Sequence, residues 1–418
     1  AGAGVLPTPA LASVQRGLRL LSLEGGGIKG LALVWQLRAL ERAAGRPIHE
    51  LFDLIGGVST GGIIALGLSR GVPLAALEQM YYEIGARVFG TQSTVRQLLK
   101  GNAADNTAIE ELLVQYLGDL PMIDAPGQLV KCFVVTTQQS ERLEVRLIRT
   151  YKHPNKGRDQ NEKWLQWEAG MATSSAPTVF PPFLRANPGS GVKQVFIDGA
   201  LSGYNNPSSL LLNEGLDLAR EGQQIDVLLS LGCGEVPNGG GGGSPQNGGG
   251  TGLVYWLGQV VNLAFDVQLQ EAHVASLIQR FSPQTMHVRL NPPTGGYGLT
   301  EHRPDMLAKM EDETRQYLAE NRMCFAEIAA ALTTHIPHVR GAPSTPWDHP
   351  GVDRVTGSVN GSVSSGGSRG SASGGGASVS PSFPSFPAFP KSTKSGETGG
   401  GGGVTIAGAS PSFPSFPA

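Results

Sequence analysis

A mainly apolar run from Leu18 to Leu23, broken only by Arg19 and Ser22, stops at Glu24-Gly25-Gly26-Gly27, and apolar residues recur on one helical face as Leu33, Leu37, Leu40 and Ala44 before Gly45. The run predicts a strand; the spacing after it predicts a helix that Gly45 caps. The plan repeats at once. Leu51 to Ile55 reads as a short strand, Gly56-Gly57-Val58-Ser59-Thr60-Gly61 as a tight turn, and Gly62 to Arg70 as an apolar helix closed by Gly71 and Pro73. Two successive strand-turn-helix units argue for an α/β architecture with a parallel sheet and helices on its faces. Further strands are predicted at Leu129 to Thr137, Leu143 to Thr150, Val195 to Ile197, Ile225 to Leu231 and Met286 to Leu290. Helices are predicted around Leu74 to Val88, Trp164 to Ala172, Ser208 to Arg220, Leu253 to Arg280 and Asp305 to Leu332.

This periodicity fades after about residue 338. Residues 339–418 are dominated by Gly, Ser and Pro, with the string PSFPSFPA at 381–388 and again at 411–418. Such a segment cannot bury enough apolar surface to offset its ordering entropy, so it is expected to be a disordered low-complexity tail. The expected organisation is an N-terminal segment (1–17), a globular domain (18–338) interrupted by a Gly-rich insert (238–252) and a polar stretch from Lys152 to Lys163, and the tail.

A net charge of −2 without a long basic run gives nucleic acid no electrostatic recommendation as a partner. Cys132, Cys233 and Cys324 are too few and too far apart for a disulfide framework or a metal site of familiar spacing. No stretch approaches the roughly eighteen consecutive apolar residues that a spanning helix needs. The chain opens with Ala, not Met, so a fragment or processed form is expected, with any targeting signal outside these residues.

Candidate chemistry sits at the two glycine turns. Gly57-Val58-Ser59-Thr60-Gly61 matches the G-x-S-x-G nucleophile elbow, and its setting between strand and helix is the one that motif requires. Gly25-Gly26-Gly27-Ile28-Lys29-Gly30 also lies between strand and helix, where unhindered amides and a helix N-terminus favour negative charge. Formally it fits G-x-G-x-x-G, but neither Glu41 nor Glu50 is placed as the acidic partner of a dinucleotide fold, and Lys29 is followed by Gly30, against a Walker A loop. The better reading is an oxyanion hole. Asp198, between Val195-Phe196-Ile197 and Gly199-Ala200, would emerge at a strand end and is the candidate base, although Asp-Gly is also a common turn.

In this order, Glu-Gly-Gly-Gly-Ile-Lys-Gly, Gly-Val-Ser-Thr-Gly and Asp-Gly-Ala, the motifs resemble those of the patatin-like phospholipase family, closest to its calcium-independent phospholipase A2 branch. Ala172-Thr173-Ser174-Ser175-Ala176-Pro177-Thr178 with Phe180-Pro181, Asn205-Asn206-Pro207 and Ser230-Leu231-Gly232-Cys233-Gly234 extend the similarity, which covers Leu18 to Leu332. The resemblance implies a three-layer fold with a mostly parallel central sheet. It implies a Ser-Asp dyad without a catalytic histidine: Ser59 as nucleophile, Asp198 as general base and acid, the Gly25 to Gly30 loop as oxyanion donors, and no cofactor or metal. Ankyrin repeats that precede the domain in some members do not occur in this sequence, and the polar inserts and the tail have no counterpart.

The substrate so implied is a membrane phospholipid or other acyl lipid, with a cytoplasmic or peripheral membrane location. A base for serine must hold its carboxyl above the ordinary value of about 3.9, which desolvation would do. Trp256, Leu257, Val260, Val261, Leu263 and Ala264 make an apolar helix surface, read as core or as a membrane-docking face. His273, His287 and His302 follow Asp198 in the order of an α/β-hydrolase triad, but surface or packing roles are the simpler reading.

Overall fold

Strand β1 (Leu18–Leu23) points alternate apolar residues to opposite faces of a sheet, and both faces are covered: Leu20 belongs to one buried cluster, Leu21 and Leu23 to another. The same division recurs in the parallel strands β2, β3 and β7, whose apolar residues alternate between the two clusters because both faces of the sheet are covered. The structure is a computed structural model that describes residues 16–91, 106–155, 163–177, 179–187, 191–235 and 267–334. The Gly-rich insert, the tail, most of the N-terminal segment, part of the Lys152 to Lys163 stretch and the Trp256 to Ala264 surface lie outside the described residues.

After β1 come α1 (Gly30–Ala44), the one-turn α2 (Ile48–Leu51), β2 (Leu54–Val58), α3 (Thr60–Ser69) and α4 (Leu74–Glu83), which runs on into a π turn at Ile84–Phe89. Then follow α5 (Thr107–Leu117), the hairpin β3 (Lys131–Gln139) and β4 (Leu143–Arg149), α6 (Gln166–Ser174), and the hairpin β5 (Phe183–Ala186) and β6 (Lys193–Asp198). The rest is α7 (Ser208–Leu218), β7 (Ile225–Leu231), α8 (Gln268–Phe281), β8 (Met286–Leu290), α9 (Pro304–Glu320) and α10 (Arg322–Thr333). The strands form one eight-stranded sheet in the order β5-β6-β3-β2-β1-β7-β8, with β4 on the other edge of β3. It is parallel from β3 through β2, β1 and β7 to β8, while β4 and β6 run antiparallel to β3. Helices α1, α3 to α6, α9 and α10 pack on one face, α7 and α8 on the other, giving the three-layer α/β architecture.

Several boundaries differ from the sequence reading. The second strand is Leu54–Val58, not Leu51 to Ile55; Leu51 ends α2 instead. Gly56 and Gly57 hid the strand, yet Gly56 is required inside it, because a Cβ there would lie 2.6 Å from the Phe133 ring on β3. Asp305 to Leu332 is two helices that break at Asn321, whose side-chain amide bonds the Tyr317 carbonyl at 2.8 Å. Helix α5 and strand β5 are elements that the sequence pattern does not predict.

Strand β3 is the element that places the site. Its first half pairs along one edge with β2, up to Val58 opposite Val135. Beyond that point the same edge is taken by β6 running the other way, from Val195 opposite Gln139 to Asp198 opposite Thr136. Two strands therefore end head to head, one leading into Ser59 and the other finishing at Asp198.

Candidate active site

Ser59 joins β2 to α3 with φ 53° and ψ −123°, a positive φ that a residue with a Cβ rarely adopts. The turn closes only because its neighbours are small: a Cβ on Gly57 would lie 2.3 Å from the Gly61 carbonyl oxygen, and one on Gly61 2.3 Å from that of Leu23. This is the strained geometry of a nucleophile elbow, with the serine at the N-terminus of a buried helix. The Ser59 amide is fixed by donating to Thr173 Oγ1 at 2.9 Å, and that hydroxyl donates on to the Val135 carbonyl.

The segment Ala172 to Pro177 also holds the other partner. The Asp198 amide donates to the Ser175 carbonyl at 3.0 Å, and Thr136 Oγ1 bridges Ala172 and Ile197. Asp198 is wholly buried. Its Oδ1 accepts from the Ala200 amide at 2.9 Å, while Oδ2 makes no fully formed hydrogen bond. Burial pushes this carboxyl up to about 6, against the opposing pull of the Ser59 hydroxyl and the Ala200 amide. A carboxyl so placed is ionised at neutral pH yet basic enough to accept a proton.

Of the glycine loop, Gly25 donates to the Asn205 carbonyl, Ile28 to Leu299, Lys29 to Gly26, and Gly30 back into its own turn. The Gly26 and Gly27 amides have no backbone acceptor among the described residues, and Gly27 has φ 59°. The loop lies directly on the serine, since a Cβ on Gly25 would come within 3.0 Å of Ser59 Cβ. Donors of that kind can meet negative charge developing on an oxygen bonded to Ser59.

Beside Ser59 opens a pocket of about 480 Å³, its solvent mouth included. Its walls are mainly apolar, with Ile63, Ile84, Phe89, Ile109, Val179 and Phe180 among them. Tyr81 also lines it; its hydroxyl meets Thr60 Oγ1 and donates to the Thr60 carbonyl at 3.0 Å.

Residues 21–212 match the patatin-like phospholipase family. Over that span, a little under half of the chain, the sequence is similar to patatin-like phospholipases. Phospholipase A I of Arabidopsis thaliana is 29% identical over 384 residues, a match covering 76% of this chain and 28% of that protein. Calcium-independent phospholipase A2-gamma of Oryctolagus cuniculus is 28% identical over 331 residues, covering 76% of this chain and 40% of the relative. A cGAMP-activated phospholipase of Pseudomonas aeruginosa is 34% identical over 199 residues, covering 47% and 56%. The chain thus spans well under half the length of the first two relatives.

The fold brings all three predicted motifs to one place. Residues missed in the sequence lie behind them: Thr173 and Ser175, seen only as family similarity, and Arg289, whose guanidinium binds Glu24 at the start of the glycine loop at 2.5 Å. Nothing local marks Arg289, because its partner is 265 positions away. Of the histidines, His287 contacts Glu271 and His302 the Thr300 carbonyl; among the described residues none hydrogen-bonds Ser59 or Asp198.

One group of described residues has metal-ligating types close together, His153, Glu214 and Asp217, with ligand atoms within 4.8 Å of one another. Its chemistry fits a hydrogen-bond network better. Both Glu214 oxygens accept from Arg149 at 2.7 Å, and Tyr151 adds a third donor. His153 Nδ1 accepts from the Asn155 amide, and its Nε2 lies 3.1 Å from the Asp217 carboxylate and 3.6 Å from that of Glu214 without a formed hydrogen bond.

Proposed function

We propose that this chain is a lipid acyl hydrolase that cleaves fatty-acyl esters of phospholipids or related acyl lipids at a membrane surface. The observation that carries the reading is the head-to-head meeting of β2 and β6 on one edge of β3, which sets Ser59 beside a buried, basic Asp198 at an apolar pocket. The similarity to proteins named as phospholipases supports the substrate class.

Asp198 takes the Ser59 proton as Oγ attacks the ester carbonyl, and the Gly26 and Gly27 amides stabilise the oxyanion. Collapse of that intermediate breaks the ester bond, and Asp198 returns the proton to the leaving alcohol. An acyl-enzyme remains on Ser59. Water, deprotonated by Asp198, then attacks it and releases the fatty acid while Ser59 regains its proton. The acyl chain occupies the apolar pocket.

The test is release of free fatty acid from phosphatidylcholine vesicles with excess chelator, comparing wild type with Ser59→Ala and Asp198→Asn. Hydrolysis by wild type, lost in both folded variants, is the expected result. Activity that needs calcium, or that survives Ser59→Ala, would overturn the mechanism. A wild type inert on phospholipid but active on simple esters would overturn the substrate.

A further inference from the structure

Three consecutive glycines are the most mobile backbone a chain can offer, whereas oxyanion donors act only if they are already in place. Something must fix residues 25–27. Asn205 grips Gly25 from both sides, donating its side-chain amide to the Gly25 carbonyl at 3.2 Å and accepting the Gly25 amide on its own carbonyl. At the far end, Ile28 donates to Leu299. The anchor before the loop is Glu24, only 3% exposed, with Oε2 accepting the Cys233 amide at 3.2 Å and Oε1 bound to Arg289 Nη2 at 2.5 Å. Arg289 is itself steadied by donating Nη1 to Ser230 Oγ at 2.9 Å.

This anchor bears on the two amides without an acceptor. Cys233, tied to Glu24 by its amide and by a 3.5 Å contact from Sγ to the Glu24 carbonyl, packs against Gly26, where a Cβ would meet Cys233 Cβ at 2.5 Å. A shift of the Glu24 carboxylate therefore moves the Cys233 backbone, the wall that Gly26 leans on. Arg289 lies on β8, well outside residues 21–212, and reaches across the end of β7 to act.

We propose that Arg289 is a positioning residue for hydrolysis: through Glu24 and Cys233 it holds the Gly26 and Gly27 amides in the arrangement that receives the oxyanion. The inference rests on the reading of that loop as an oxyanion hole. Loss of Arg289 acts on the transition state and leaves ground-state binding in the apolar pocket intact, so it separates kcat from KM.

The experiment compares wild type, Arg289→Met, Arg289→Lys, Glu24→Gln and Ser59→Ala on a p-nitrophenyl fatty ester, with thermal unfolding to establish the folded state and hydrogen exchange of the peptide spanning 23–31. Arg289→Met is expected to lower kcat about ten- to a hundredfold with KM within about twofold, and to speed exchange at 23–31. Arg289→Lys, which keeps the charge without the fork, recovers part of the rate. Folded Arg289→Met with wild-type kcat, or with exchange at 23–31 unchanged, overturns the proposal. If Arg289→Met does not fold, Arg289→Lys and Glu24→Gln decide by the same criteria. Should wild type show no Ser59-dependent hydrolysis, the functional reading fails, and exchange at 23–31 alone decides whether Arg289 orders the loop.

Discussion

Val58 and Asp198 face consecutive residues of a single strand edge, Val58 opposite Val135 and Asp198 opposite Thr136. The distance between Ser59 and Asp198 is thereby set by hydrogen-bond register, not by a loop. A one-residue slip of β6 would turn the Asp198 side chain to the opposite face of the sheet. Gly199 permits the close approach that follows, since any Cβ there would lie 2.4 Å from the Val135 carbonyl oxygen.

Ser59 stores backbone strain, as its φ of 53° is unfavourable to any side chain bearing a Cβ. Ser59→Ala removes the hydroxyl but keeps the strain, while Ser59→Gly removes both. Both variants are expected to be inactive, with Ser59→Gly the more stable by about 1 kcal/mol. Urea unfolding of the pair checks this; equal midpoints would mean that the elbow carries no strain.

Asp198 makes two opposite demands. As a base it must be ionised, so kcat is expected to fall on the acid side with a limb near pH 6, where its carboxyl takes up a proton. As a buried group raised above the unfolded value, it binds its proton more tightly in the folded chain. Stability therefore falls as pH rises from about 4 to about 6, and the cost is fully present above that window. Asp198→Asn should abolish hydrolysis and stabilise the fold at pH 8 by roughly 2 kcal/mol, with a smaller gain at pH 4. Unfolding curves at the two pH values test this, and a gain that does not grow with pH would sink it.

The strand-turn-helix units around the glycine loop and Ser59 were legible because local chain chemistry writes them: apolar runs, glycines where the backbone turns sharply, a helix following each. The α/β class followed from their repetition. What could not be read depends on distant partners. Strand β5 is four residues with alternating exposure, stable only against β6, and Glu24 finds Arg289 solely because β1, β7 and β8 are neighbours in the sheet. Gly56 and Gly57 depress strand propensity, yet sit fully buried in β2 because Phe133 and the elbow leave no room for a side chain.

The pocket makes acyl-chain length a testable quantity. Val179 lines it and is only half-buried, so a larger side chain can be accommodated there without disturbing the core. Val179→Phe is expected to lower kcat/KM for a long-chain ester at least about tenfold relative to a butyryl ester. Parallel rates on the two esters decide the matter; equal losses on both would mean that the acyl chain lies elsewhere.

Glu214 tests whether the cluster beside the sheet is a network or a metal site. It is 2% exposed and receives two bonds from Arg149 and one from Tyr151, so its charge is compensated within the protein. Glu214→Gln leaves the Arg149 guanidinium buried without a counter-ion, which costs about 3–5 kcal/mol. That loss should appear in urea unfolding, with kcat per folded molecule unchanged because none of these side chains touches Ser59 or Asp198. A divalent metal held by His153, Glu214 and Asp217 would show itself differently: wild type would gain thermal stability with added zinc and lose it with chelator. The network predicts no response to either, since both Glu214 oxygens already accept charge-assisted bonds from Arg149 and a third from Tyr151.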